Sequence, residues 1–228
     1  MSFFEVSTWV IPVIVAITFH EAAHGFVALL CGDQTAWQLG RVSFNPLKHI
    51  DPFGTLLLPG LLLLLRSSFL FGYAKPVPVN FRALRHPRGD MILVAAAGPA
   101  MNLALAVLAA LALHMIVDVP DPSRQWVQLS LRNAIFFNVL LAVFNMLPIP
   151  PLDGGRVAVG LLPKFLGLPL AALEPFGLLI LIVLLFFVPM LGAQLGIDLG
   201  IISRLVGTAT NRLIEAILAV TGSSWPQG

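Results

Sequence analysis

The sequence predicts an all-α protein that crosses a membrane several times, and three observations carry that expectation. Of its 228 residues, 58% are hydrophobic and only 11% are charged, where a soluble domain carries roughly a quarter charged residues. Long uncharged apolar runs approach or exceed the ~20 residues that take a helix across a bilayer. The basic residues gather in short segments between those runs, where they act as determinants of topology. A net charge of +2 spread over such loops is no phosphate-binding patch, so a nucleic-acid partner is not expected. The single cysteine, Cys31, excludes an internal disulfide framework.

The whole chain, residues 1–228, reads as one transmembrane domain, with a core over about 9–156 and accessory spans over about 165–221. Residues 1–8 lack a cationic leader and run into apolar sequence with no cleavage-like site, so the first span, 9–30, is expected to be retained. Residues 31–52 are polar, aromatic and Pro-containing, and read as turns and short strands near the surface. Residues 53–70 are Leu-rich but interrupted by Pro59 and Gly60, which weaken a straight helix. Arg41 and Lys48 precede this segment, and Lys75, Arg82, Arg85 and Arg88 follow it. With cations on both flanks it is expected to be re-entrant, its backbone covered by protein. Residues 71–90 begin with an alternation that suits a small membrane-associated β-element. Clear spans follow at 91–117, 129–148 and 168–188, with a weaker hydrophobic segment at 195–220.

Chemistry concentrates in the first span, where HEAAH places His20, Glu21 and His24 within an apolar helix. Positions i and i+4 share a helical face, so both imidazoles can address one metal ion. Glu21 is offset around the helix, placed to touch a water rather than the metal. Two His ligands, a carboxylate base and a metal-acidified water make a zinc-hydrolase arrangement. The competing explanation, that these residues merely hold helices together, is weak inside a membrane. An ionisable side chain there costs at least ~2.5 kcal/mol and needs a partner or a function.

A catalytic zinc takes a third protein ligand and keeps one position open. The candidate is Asp153 in NMLPIPPLDGGR, where Pro148, Pro150 and Pro151 end the helix. Gly154 and Gly155 are expected to let the backbone turn and return the carboxylate to the membrane. Taken alone, Asp153 also reads as an ordinary helix-end residue. Depth decides between the two: Asp153 reaches HEAAH only if one span intervenes and 53–70 does not cross. That is the topology the basic flanks require.

HEAAHG on an early span, then AGPAMN at 97–102, then NMLPIPPLDGG at 145–155 resembles the site-2 protease family of intramembrane metalloproteases. The pattern covers residues 20–156. The resemblance implies a three-helix catalytic core, one zinc bound by His20, His24 and Asp153, and Glu21 as general base. It implies that Asn145 helps bind substrate or polarise its carbonyl. It also makes GYAKPVPVN look like an edge strand on which a helical substrate is unwound. The partners would be the helices of membrane-protein substrates within the lipid bilayer. No PDZ-sized insertion or nucleotide-binding module is read between or after the motifs, so the expectation is a short, minimal form.

Gly98 and Pro99 read as packing residues, Asn102 as packing or support behind the site, and Asn138 as a polar packing residue. His49, His86 and His114 lack ligand spacing; the first two read as loop residues and the third as the outer end of its span. A metal carrier or an inactive helix-binding relative would share the ligands, but a carrier would need further ligands along a pathway, and none is seen. Ten Arg against three Lys and a compact chain suit a bacterial inner membrane.

Overall fold

A computed structural model describes residues 3–49, 51, 57, 75–116, 120, 121 and 123–225. Helices in lipid satisfy their own backbones, so close approach of those backbones, helped by small and polar side chains, governs how they associate. α1 (Phe3–Leu30) buries Thr8, Pro12, Ala16, His20, His24 and Ala28, a stripe repeating every four residues. α2 (Pro87–Ala112) buries Asp90, Val94, Gly98, Asn102, Ala106 and Ala110 at the same interval. Four-residue spacing keeps side chains along one face, so each helix turns a narrow, small-residue stripe inward. Its larger apolar side chains, such as Ile11, Leu93 and Leu108, stay exposed.

α3 (Ser123–Asn145) completes the core with Ile135, Asn138, Val139 and Ala142. Its direction is set by hydrogen bonds near its start: Trp126 Nε1 donates to Ser7 Oγ at 2.9 Å, and Asn133 Nδ2 to Thr8 Oγ1 at 2.8 Å. α1 and α3 therefore run parallel. α2 runs against them, since Asn102 bonds to Ala16 while Val94 bonds to His24. The end of α1, the start of α2 and the end of α3 share one side of the molecule, the arrangement that the reach of Asp153 requires.

Beyond Asn145 the chain reverses through a cis Pro150–Pro151 peptide into α4 (Asp153–Leu161), which packs on α2. α5 (Lys164–Ala172) folds back along α4. α6 (Gly177–Ile182) and α7 (Val188–Gln194) follow, joined by a wider turn at Val183–Phe187. Among the described residues, four stretches are long and apolar enough to cross a membrane: Phe3–Leu30, Pro87–Ile116, Ser123–Asn145 and Lys164–Gln194. The fourth is not a single rod, because Pro175 sits in a 3-10 turn at Glu174–Phe176 between α5 and α6. The weaker last segment is also helical, α8 (Ile201–Thr221). It lays Ile214 against Ala106, Ala109, Ala110, Ile135 and Val139.

The β-element does not take shape among the described residues, which contain no strand. Residues 75–80 form no strand and have no ladder partner, although Lys75 and Val77, each before a proline, are biased to extended conformations. Pro76 and Pro78 carry no N–H, and the donors of Lys75, Val77 and Asn80 are taken by the His49 carbonyl, Glu21 Oε2 and Asp33 Oδ2. The proposed re-entrant segment, 53–70, lies outside the described residues apart from Leu57.

Candidate metal centre

α1 presents His20 and His24 one turn apart, with rings 4.7 Å apart and nearly perpendicular. The loop after α3 returns Asp153 to the same depth. His20 Nε2 lies 3.2 Å and His24 Nε2 3.4 Å from Asp153 Oδ2, and the two Nε2 atoms are 3.1 Å apart. All three side chains are buried. They are the cluster able to hold a metal ion among the described residues.

The protons on these rings follow from their outer partners. His24 Nδ1 lies 2.7 Å from the Val94 carbonyl, which can only accept, so Nδ1 carries the hydrogen. His20 Nδ1 lies 2.5 Å from Asn102 Oδ1. The orientation of that amide is itself determined. Asn102 Nδ2 donates to the Ala16 carbonyl at 3.1 Å and to Asn138 Oδ1 at 2.8 Å. Asn138 Nδ2 in turn donates to the Ala134 carbonyl at 2.9 Å. Backbone acceptors at both ends of this chain turn Asn102 Oδ1 toward His20, so each ring holds a hydrogen on Nδ1 and turns Nε2 inward.

Two imidazole nitrogens and one carboxylate oxygen thus converge, and the near polar neighbours of buried Asp153 Oδ2 are the two rings, at 3.2 and 3.4 Å. A buried carboxylate oxygen left in that state is costly unless a cation shares it. Gly98 makes the convergence possible. A Cβ there would lie 2.5 Å from His24 Nε2 and 2.6 Å from His20 Nε2.

Comparison with known proteins agrees with this geometry. A model of peptidase family M50 matches residues 116–188, the stretch that contains Asn145 and Asp153. A Bacillus subtilis (strain 168) protein named "Putative zinc metalloprotease YwhC" is 38% identical over 196 residues, covering 81% of this chain and 81% of that protein. The chain belongs to peptidase family M50. Proteins described in the same words and called Rip2 are 34% identical in Mycolicibacterium smegmatis and 32% identical in Mycobacterium tuberculosis (strain H37Rv). They cover 75% and 78% of this chain and 64% and 66% of their own lengths. No solved structure matches.

Glu21, next to His20 on α1, is not one of the three clustered residues, and its Oε2 accepts from Val77 N–H at 2.7 Å. Asn145 ends α3 with its amide turned back on its own helix, donating to the Leu141 carbonyl at 3.0 Å. Gly154 and Gly155 act differently from the sequence expectation. Both lie in the first turn of α4, and neither has the positive φ seen at Gly32, Gly40, Gly196 and Gly222. Their contribution is clearance: a Cβ on Gly155 would lie 2.6 Å from Pro150 N, and one on Gly154 would meet the Leu147 carbonyl at 2.5 Å. Gly98 is a packing residue whose neighbours are the two imidazoles, and Asn102 is the hydrogen-bonded support of His20. Asp33, which the motifs pass over, is buried and latches residues 75–80 by accepting from Asn80 N–H at 2.7 Å. His49 is buried with Nε2 on the Ser43 carbonyl, His86 precedes α2, and His114 bonds the Thr221 carbonyl near the far end of α2.

Proposed function

We propose that this chain is a zinc-dependent intramembrane protease, hydrolysing peptide bonds in the membrane-spanning segments of other proteins. The observation that carries the reading is the convergence of His20, His24 and Asp153 inside a bundle of apolar helices. A tetrahedral zinc with bonds of about 2.0–2.1 Å sets its ligand atoms about 3.3–3.4 Å apart, and the three separations here are 3.1, 3.2 and 3.4 Å. Two neutral nitrogens and one carboxylate oxygen are also the donor set that catalytic zinc takes. The relatives' names point to the same metal.

Zinc bound there supplies Lewis acidity, which acidifies water and polarises the scissile carbonyl. Glu21 takes the proton of the attacking water on its carboxylate and returns it to the leaving nitrogen. Its bond to Val77 N–H holds that carboxylate beside the segment 75–80. Asn145 serves the substrate carbonyl once its amide turns away from Leu141. Helical substrate amides are bonded internally, so the scissile stretch must unwind before attack, and helix-breaking residues in the substrate speed cleavage. A host segment close to the base, biased to extended conformations before its prolines, suits such an unwound guest. Ten Arg against three Lys in a compact chain suit a bacterial inner membrane.

The test is elemental analysis of detergent-purified protein, paired with cleavage of a membrane-embedded substrate. About one zinc per chain is expected, reduced in Asp153→Ala and retained in Glu21→Gln. Cleavage should be lost in Glu21→Gln. A folded preparation that takes up no zinc when it is added back would sink the proposal, and so would undiminished cleavage by Glu21→Gln.

A further inference from the structure

The start of α2 and the α4–α5 hairpin enclose a cleft of about 470 Å³ on the side of the molecule where α1 and α3 end. Glycines bring its walls together. A Cβ on Gly160 would lie 3.3 Å from the Arg88 carbonyl, and one on Gly167 would lie 2.9 Å from the Val159 carbonyl. Half-buried Phe81, Met91 and Val159 and exposed Leu168 make the lining largely apolar, and Arg82, Arg88 and Lys164 line it as well. No acidic side chain is among its lining residues.

Those three charges are uncompensated among the described residues. Arg88 donates to the Leu162 carbonyl, a neutral acceptor, and Arg82 and Lys164 have no acidic partner there. The neighbouring cation behaves differently: Arg156 lies over the Phe81 ring and pairs with Glu174 at 2.7 Å. Charges that only set topology need no apolar cleft behind them. An apolar cavity alone would not gather three cations and exclude every acid.

We propose that this cleft binds one anionic phospholipid, with its phosphate held by Arg82, Arg88 and Lys164. The first carbons of the chains enter the apolar cleft, and the headgroup stays in water beside the three cations. The remaining chain length leaves over the exposed apolar face of α5 at Phe165 and Leu168. The location suits this ligand, because the cation-rich end of the helices belongs in the cytoplasmic leaflet, where anionic lipids concentrate. The site is separate from the metal centre but shares its framework: the bound lipid would bridge α4, which begins at Asp153, to α2, which carries Gly98 and Asn102.

Native mass spectrometry of the zinc-loaded protein in nonionic detergent tests the site, with phosphatidylglycerol or phosphatidylcholine added. Each basic residue at an anionic lipid surface is worth roughly fivefold in affinity. The Arg82→Gln/Lys164→Gln double variant should therefore hold phosphatidylglycerol about 25-fold more weakly. A charge-matched control, Lys48→Gln/Arg85→Gln, removes two cations outside the cleft and should stay within about twofold of the parent. Equal retention of phosphatidylcholine, or equal weakening in both double variants, would reduce the effect to general surface charge and overturn the site. Displacement of the lipid by glycerophosphoglycerol at matched concentration would show a site for the soluble headgroup anion, and would overturn the lipid assignment.

Discussion

At position 98 a hydrogen atom in place of a side chain lets two imidazoles lie against α2. Gly98→Ala should be tolerated by the backbone, which is helical there. Its methyl would displace one or both rings at a cost of about 1–3 kcal/mol. Zinc content should fall by more than half while far-UV circular dichroism is unchanged; full zinc occupancy would contradict the packing seen here. Asn102 acts on the same ring from behind. Asn102→Leu removes the acceptor that keeps the proton on His20 Nδ1, and zinc affinity should fall about 10–100-fold. Asn102→Asp keeps an acceptor and should recover most of that loss in a competition titration with a chromophoric chelator. A purely structural role would make the two variants alike. At this scale His20, His24 and Asp153 are legible in the sequence, because helical periodicity and bilayer depth dictate where they point. The roles of Gly98 and Asn102 are less so, since they depend on which atoms of α1 and α3 lie opposite.

Among the elements, residues 75–80 are held from several directions. Asp33 accepts from Asn80 N–H and from the Thr35 N–H and hydroxyl, Arg41 reaches the Lys75 carbonyl, and Lys75 N–H meets the His49 carbonyl. Charge-assisted hydrogen bonds of this kind are each worth about 1.5–3 kcal/mol. Asp33→Ala should therefore loosen the segment locally and raise limited-proteolysis rates near residues 75–85 by about tenfold. An unchanged cleavage pattern would mean that the other contacts suffice. The alternation that opens residues 71–90 suggests a strand, and none forms among the described residues. What period-two reading overlooks is that Pro76 and Pro78 remove the donors a ladder needs. The α3–α4 reversal shows the opposite case: its prolines and glycines correctly mark a turn, but the glycines serve close approach rather than unusual dihedral angles.

For the whole molecule, three helices converge on one chain of side-chain hydrogen bonds, from α3 through Asn138 and Asn102 to His20. The metal therefore reports on the packing of the entire core. Chelation leaves Asp153 Oδ2 without a cation and should lower Tm. At a thousandfold excess of metal over Kd the linkage is worth about 4 kcal/mol, or about 8–16 °C for a chain of this size. Zinc added back should restore the transition; a Tm indifferent to metal would mean that the site is decoupled from the fold. Composition is enough to read the class of molecule, a membrane protein with several long apolar helices. It does not reveal that the fourth is broken at Pro175, because its mean hydropathy is the highest of the four while its hydrogen bonding is interrupted.

The prolines at 76 and 78 also bear on how the protein lives among its own copies. A membrane confines molecules to two dimensions and raises the chance that like segments meet side by side. Exposed extended backbone ordinarily invites that meeting to become association. Here the edge bearing Pro76 and Pro78 offers oxygens without N–H groups at those positions, so two copies laid together would face carbonyl to carbonyl. The segment is a poor template for itself.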